Sequence, residues 1–288
     1  METVIITDSC SDLPLKYIED NCIPIVSLTY HFKDDDYEDD FGKSISYNDF
    51  YNAVRSGEMP TTSQVNIFKF TQEFKKNVEL GKSIIYIGFS SALSGSLNSA
   101  NIARQMIIDE FKDADITVID SRSASSGLGL IVYYAVEMQK KGSSKQEIVD
   151  WVENNKLKVN HWFTVEDLNH LKRGGRVSST AAFIGTILDI KPILHVDDQG
   201  RLMPVTKVKG RKKSLRMLAD MLKERIVNPK EQVIFISHGD CIDDAQHLEK
   251  LINNKCNVKG IIISYVGPVI GSHSGPGTVA LFFIGDNR

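Results

Sequence analysis

Residues 84–100 read IIYIGFSSALSGSLNSA, an apolar run that ends in Ser90, Ser91, Ser94 and Ser96 just where a helical pattern begins. In an open α/β sheet, ligands bind beyond the carboxyl ends of the strands. The helix that follows offers unpaired N–H groups and a partial positive charge. Ser94 brings a hydroxyl and Gly95 permits close approach, a combination that suits a carboxylate or phosphate, although a serine here also serves as an ordinary helix cap. A second hydroxyl cluster, PTTSQ at 60–64, places Thr61, Thr62 and Ser63 before a helical stretch. One of them caps the helix, and the surplus hydroxyls are free to face a ligand. A third segment, GPVIGSHSGPG at 267–277, holds His273 in a glycine- and proline-rich loop between two strands, where it can exchange hydrogen bonds with an anion near neutral pH. The fourth, LKRGGR at 171–176, is basic and precedes a helix, and it reads equally as a docking surface or a solvated turn.

Other chemistries fit less well. GLGLIV has Val132 where a dinucleotide fingerprint needs its third glycine, and LKRGGR lacks the GK[ST] ending of a phosphate loop. The acidic KDDDYEDDFG has no EF-hand register and reads as a solvated hairpin or loop. SHGD with Asp243 and Asp244 reads as a strand end and helix cap, so no metal site is expected. Cys10, Cys22, Cys241 and Cys256 form no CxxC pair and are expected to be free thiols. A serine hydrolase is the rival enzyme reading, with Ser90 as nucleophile and Asp240 and His273 in the order of a triad. Ala92, however, replaces the last glycine of GxSxG.

Alternating strand and helix patterns have to position these loops. Over 288 residues, with 42% hydrophobic and 25% charged residues, the chain is long enough for one large or two ordinary domains. A net charge of −3 leaves no electrostatic footprint for nucleic acid. No stretch reads as a membrane span or signal peptide, and a cytoplasmic location is expected. IPIVSLTYHF reads as a second strand after TVIITD. SYNDFYNAVRSG reads as a helix capped by Ser46, and KPILHVDDQGRLMPVTKV as a hairpin turning at Asp198-Gln199-Gly200. Strand and helix repeat, restarting near residue 158. The expected fold is therefore α/β with two α/β domains. Residues 1–157 form a doubly wound, largely parallel sheet carrying the hydroxyl loops, and residues 158–288 a mixed α/β sandwich. The stripe Phe183, Ile184, Ile187, Leu188 follows helical spacing and reads as core.

Taken in order, TDSCSDLP, MPTTSQ, SSALSGSLNSA, DSRSASSGLG, LKRGGRVS, KPIL and GSHSGPG resemble the DegV family over nearly the whole chain. Its members include the fatty-acid-binding subunits of bacterial fatty acid kinase. The resemblance implies a lipid-binding carrier and not an enzyme. It would take one long-chain fatty acid, such as palmitate, stearate or oleate, and no other cofactor. On matching positions Thr62 and Ser94 would hydrogen-bond the carboxylate, with Ser63, the Gly95 N–H and His273 beside them. The acyl chain would lie in an apolar cavity between the domains or within the second, with the stripe at Phe183, Ile184, Ile187 and Leu188 as candidate wall. An ATP-dependent kinase subunit would phosphorylate the exposed carboxylate for phospholipid synthesis. Arg173, Arg176, Lys209 and Arg211 are candidates to dock it, and transient membrane contact would allow ligand exchange. The chain departs from the family in reading Lys207-Val208-Lys209, with Arg211 two places on, where many members have Lys-Val-Arg; lysine lacks the planar fork of arginine. The head group is expected to meet uncharged donors only, with no lysine or arginine buried against it. A lipid-sensing regulator without a kinase partner is the alternative on the same fold.

Overall fold

The computed structural model describes residues 2–166, 168–177 and 189–288. The first half runs β1 (Thr3–Asp8), α1 (Leu15–Asp20), β2 (Ile25–Val26), β3 (Thr29–Phe32), β4 (Asp35–Glu38), α2 (Tyr47–Arg55), β5 (Thr61–Ser63) and α3 (Ile67–Glu79). It continues with β6 (Ser83–Gly88), α4 (Ser96–Glu110), β7 (Ile116–Asp120), α5 (Ser126–Lys140) and α6 (Lys145–Asn155). The second half holds β8 (Val159–Thr164), α7 (Asn169–Arg173), β9 (Ile190–Val196), β10 (Leu202–Lys209), α8 (Arg211–Arg225) and β11 (Val233–His238). After these come α9 (Ile242–Asn253), β12 (Gly260–Tyr265), α10 (Pro268–Ser274) and β13 (Val279–Ile284). The chain is α/β, with one parallel and one mixed sheet. The parallel sheet has the order β2-β1-β6-β7, and the six-stranded mixed sheet the order β10-β9-β8-β13-β11-β12. Among the described residues no helix is long and apolar enough to cross a membrane.

The sequence expectation fails where a single strand was read over IPIVSLTYHF. The chain breaks at Ser27-Leu28, so β2 joins the parallel sheet while β3 starts a separate antiparallel sheet of order β4-β3-β5. The turn is held because the Leu28 N–H donates to Ser9 Oγ at 3.1 Å and Leu28 O accepts from Asp39 N at 2.9 Å. The acidic stretch is the β3–β4 hairpin, Ser46 caps α2, and the β9–β10 hairpin turns where expected.

Strand alternation sorts the mixed sheet into two faces. Trp162, Ile193, Ile234, Ile236, Leu281 and Phe283 point to α8 and α9 and share a core cluster with Leu215, Leu218 and Leu222. Phe163, Leu194, Phe235, Ala280 and Phe282 point the other way, into the cluster that continues through the parallel sheet. Helix α5 fills the gap, touching β1 and β6 on one side and β8, β11 and β13 on the other. Residues Ser126–Val132 are all buried, which explains why its N-terminal half is apolar on every side. Gly127 and Gly129 are needed there. A Cβ on the first would run into the His161 ring of β8, and on the second into Ser11 O.

Arg288 locks the loop that feeds α5. Its guanidinium donates to Val159 O at 2.9 Å, Arg122 O at 2.7 Å, Asp197 O at 2.9 Å, Lys156 O at 2.7 Å and Ser123 Oγ at 3.2 Å. It thereby ties the end of β7 to the start of β8 and to the β9–β10 turn. That loop is strained, with Arg122 at φ 48° and Ser125 at φ 52°. Such residues cost about 1–3 kcal/mol each and persist only when the surroundings over-determine them. Replacing Arg288 by alanine is expected to destabilise the fold by about 2–3 kcal/mol, since several charge-assisted bonds are lost together. Lysine should not restore it, because it lacks the fork. Urea unfolding of both variants checks this, and full rescue by lysine would refute the five-bond clamp.

Candidate functional site

A cavity of about 420 Å³ lies between the carboxyl ends of the parallel sheet, the inner face of the mixed sheet and α10. That is within the usual span of ligand pockets, roughly 300–1,000 Å³. Thr62, Ser63, Ser94, Gly95 and His273 all line it, and so does Arg176. Different elements bring them there. Thr62 sits on β5, paired with Tyr30 of β3, whose buried ring packs on Phe50 of α2. Ser94 lies in the turn after β6, where the Leu93 and Ser94 N–H groups donate to Ser90 O at 3.0 and 3.1 Å. His273 is on α10, which rests on α2, β3 and β5.

Two sequence readings change here. PTTSQ is a strand and not a helix cap; α3 is capped by Asn66, whose side chain accepts from Lys69 N. Strand alternation turns Thr62 inward and leaves Thr61 and Ser63 exposed. His273 is in a short helix, not a loop, held by that helix's packing and by Thr62. His273 Nε2 and Thr62 Oγ1 are 2.8 Å apart. Its Nδ1 has no partner among the described residues and faces the Gly174 backbone. A proton on Nδ1 would be a stranded donor, so the neutral ring carries its proton on Nε2 and donates to Thr62. The Thr62 O–H is then free to donate into the cavity. Ser94 is arranged alike. Its oxygen accepts from Ser96 N at 3.2 Å and lies 3.0 Å from Ser96 Oγ, which itself accepts from Val65 N at 3.1 Å. Either hydroxyl can donate in the Ser94–Ser96 pair, and when Ser96 donates, the Ser94 proton is left for a ligand. Thr62 is held by His273 and Ser94 by the Ser96 N–H, and each hydroxyl carries a hydrogen that can be offered to an anion in the cavity.

Arg176 lines the same cavity, where the sequence led to an expectation of uncharged donors only. It donates from Nε to Leu93 O at 3.2 Å and from Nη1 to Gly174 O at 2.6 Å, and it faces the cavity. The chain places it at the cavity wall with the hydroxyls, whereas LKRGGR read equally as a docking surface or a solvated turn; Leu171–Arg173 of that motif end α7. Of the other basic candidates, Arg173 is exposed and contacts His170, and Lys209 is exposed at the end of β10. Arg211 is turned inward, bonded to Asp244 Oδ2 at 2.8 Å and Gly277 O at 2.6 Å, so it clamps the loop after α10. Phe183, Ile184, Ile187 and Leu188 lie outside the described residues.

Deeper in, the wall is largely apolar, with Leu93, Phe163, Val196, Val269, Ile270 and Phe282. Sequence reading missed these walls because, apart from Leu93 in the β6–α4 turn, they come from β8, β9, β13 and α10, where core and cavity residues look alike. It also missed the use of DSRSASS. Ser125 donates to Asp12 and lies 3.0 Å from Ser237 Oγ, while Ser126 Oγ lies 2.9 Å from Ser264 Oγ, stitching the start of α5 to both sheets. The hydrolase triad does not assemble. Ser90 Oγ donates to Gly200 O at 2.9 Å, Asp240 pairs with Arg55 at 2.5 Å, and His273 is held by Thr62. Among the described residues no group of three or more His, Cys, Asp or Glu side chains could hold a metal, and all four cysteines are free thiols.

The family model of the uncharacterised DegV proteins matches residues 2–286. A DegV domain-containing protein of Clostridium perfringens is 52% identical over 285 residues, covering 99% of this chain and 98% of the relative. A Thermus thermophilus DegV-family protein, solved for its fatty acid binding, superposes with a TM-score of 0.89 at 27% identity, covering 99% of this chain and 100% of that one. A stearic-acid-binding protein of Eubacterium ventriosum superposes with a TM-score of 0.85 at 26% identity, covering 99% and 98%.

Burial sets the charge states around the site. His273 is pushed down to about 4 by desolvation, then by the nearby Arg176 and Arg173. Desolvation also lowers His238 to about 4 and His161 well below its usual range. The buried carboxyls move oppositely: desolvation raises Asp8 to about 6, Asp39 to about 7 and Asp12 well above the ordinary value. A histidine whose folded value lies near 4 binds fewer protons than the unfolded chain between there and about 6.5. Stability from His273 is thus present above about 6.5 and lost as pH falls through that window. The carboxyls contribute with the opposite sign, losing stability as pH rises past their unfolded values. Substituting His273 by glutamine leaves the carboxyls in place and removes one of the acid-labile contributions. The unfolding free energy at pH 7 minus that at pH 4.5, taken with its sign, should therefore be lower in His273→Gln than in the parent, by urea titration at each pH. An equal or larger difference would count against a buried neutral ring.

Proposed function

The chain belongs to the DegV family, and on that premise we propose that it binds one long-chain fatty acid, with the acyl chain buried and the carboxylate at Thr62, Ser94, Gly95, His273 and Arg176. One observation carries this reading. Residues from β5, the β6–α4 turn, the segment after α7 and α10, far apart in sequence, meet at one mouth as hydrogen-bond donors, and the cavity behind them is largely apolar. Palmitate has about 14 methylenes, so burying them gives roughly 11 kcal/mol, much of it offset by lost translational and chain freedom. Hydrogen bonds to a carboxylate add about 1.5–3 kcal/mol each. Burial therefore sets affinity, and the donors set which end faces out.

In this reading the chain is a cytoplasmic carrier and not itself an enzyme. It presents the carboxylate to an ATP-dependent kinase subunit for acyl-phosphate formation in phospholipid synthesis. Residues 1–157 supply Thr62, Ser63, Ser94 and Gly95, and residues 158–288 supply His273 and most of the acyl wall. Exposed Arg173 and Lys209 are the basic residues left to meet the kinase, since Arg176 and Arg211 are engaged inside. The likeness of the fold to fatty-acid-binding DegV structures supports the ligand class.

Organic extraction of the denatured protein followed by mass spectrometry should recover about one fatty acid per chain, as buried chains survive purification. Recovery of none, together with no heat of binding for palmitate, would refute the reading. Thr62→Ala and Ser94→Ala should each weaken palmitate about tenfold, the equivalent of roughly 1.4 kcal/mol, and reduce phosphoryl transfer in a coupled kinase assay by a larger factor. Unimpaired transfer in both variants would displace the carboxylate from this mouth.

A further inference from the structure

The cavity meets solvent along a short stretch of its lining. Of the described residues that line it, Ser63, Gln64 and Gly95 alone are exposed. Only Gln64 among these three has a long polar side chain. It follows Thr62 by two residues, the spacing that returns a strand's side chains to one side, and both line the cavity. The first turns of α4 hold it from the opposite edge. Val65 N donates to Ser96 Oγ at 3.1 Å, and Gln64 Nε2 donates to Ser99 Oγ at 3.3 Å. The carboxamide then lies on Gly95 so closely that a Cβ there would stand 2.1 Å from Oε1 and 3.2 Å from Nε2. The room left by the missing side chain of Gly95, a residue of the head-group loop, is taken by this group.

The carboxamide is held loosely. Its bond to Ser99 is longer than an ordinary N–H···O bond, and it is the one side-chain bond Gln64 makes among the described residues. A serine hydroxyl both donates and accepts, so the carboxamide can turn over at Ser99 and present its oxygen or its nitrogen to the Gly95 loop. Thr62, Ser94 and Arg176 are half-buried, whereas Gln64 is exposed, so Gln64 is the polar group on the solvent side of the cradle. Resting on the fatty-acid reading above, we propose that Gln64 is a further head-group residue whose carboxamide N–H donates to the carboxylate oxygen that faces out. A glutamate at this position would lose the donor and set like charge against the carboxylate, and a lysine would keep a donor of similar reach.

The test is calorimetric titration of palmitate into the full chain and into Gln64→Ala, Gln64→Glu, Gln64→Lys and Asn98→Glu. Water replaces part of an exposed bond, so Gln64→Ala should bind about threefold to fivefold more weakly. Gln64→Glu should lose about twentyfold, and Gln64→Lys should bind at least as tightly as the parent. Asn98 is exposed on the first turn of α4 and is not part of the cavity lining, so Asn98→Glu brings the same charge nearby without the contact and should stay within about twofold of the parent. Equal weakening in all three Gln64 variants would make Gln64 a packing group on Gly95 and overturn the proposal, as would unchanged affinity in all three. A loss in Asn98→Glu as large as in Gln64→Glu would overturn it too, since the effect would then be one of field and not of contact. Opposite shifts in Gln64→Glu and Gln64→Lys cannot come from a shared folding defect, and thermal melting of each variant checks that the fold is kept. Failure of palmitate to bind the parent would instead refute the fatty-acid reading itself.

Discussion

Helix α5 has to lie against two sheets at once, and most of the architecture follows from that demand. A helix approaching a sheet on one side can keep a polar face; this one cannot, and it is apolar all round over its first two turns. Close approach on both sides excludes side chains at Gly127 and Gly129, which meet His161 and Ser11 respectively. The helix start then needs its own hydrogen bonds without water. Ser125 and Ser126 find them on Asp12, Ser237 and Ser264, drawn from both halves of the chain. His161 is fixed by the same crowding: its ring bonds Val159 O at 2.9 Å and accepts weakly from Ala124 N at 3.4 Å. The cavity opens where this helix begins, because two sheets held apart by a helix cannot also close on each other beyond its end.

At the mouth, the chain uses pairs of groups to position hydroxyls. His273 holds the Thr62 oxygen and the Ser96 N–H holds the Ser94 oxygen, so both are placed before any ligand arrives. Preorganisation of this kind lowers the ordering cost of binding. Arg176 adds positive charge, but two of its guanidinium nitrogens are already spent on Leu93 O and Gly174 O, which hold it against the wall. Its neighbourhood also explains why His273 stays neutral, since a second cation beside Arg176 and Arg173 is unfavourable.

Much of this was legible in the sequence. Strand and helix periods marked most elements; Ser94, Gly95 and His273 stood out in their loops, the family resemblance chose Thr62 and Ser63 from PTTSQ, and all five line one cavity. What failed had physical causes. IPIVSLTYHF looks uniformly strand-like, and nothing local says that tertiary bonds to Ser9 and Asp39 will split it between sheets. PTTSQ reads as a cap because capping and edge-strand residues are the same small hydroxyl types; pairing with β3, thirty residues away in sequence, decides it. Arg176 and Arg211 look like surface charges, and only the packing of α7 and α8 turns them inward.

The cavity runs through the seam where the two sheets face each other, so whatever fills it becomes part of the hydrophobic interior. By mass action, an occupant that binds only the folded chain raises the folded-to-unfolded ratio by a factor of one plus its free concentration over its Kd. The supply of that occupant and the lifetime of the folded protein are then coupled, because the empty chain opens more readily than the filled one.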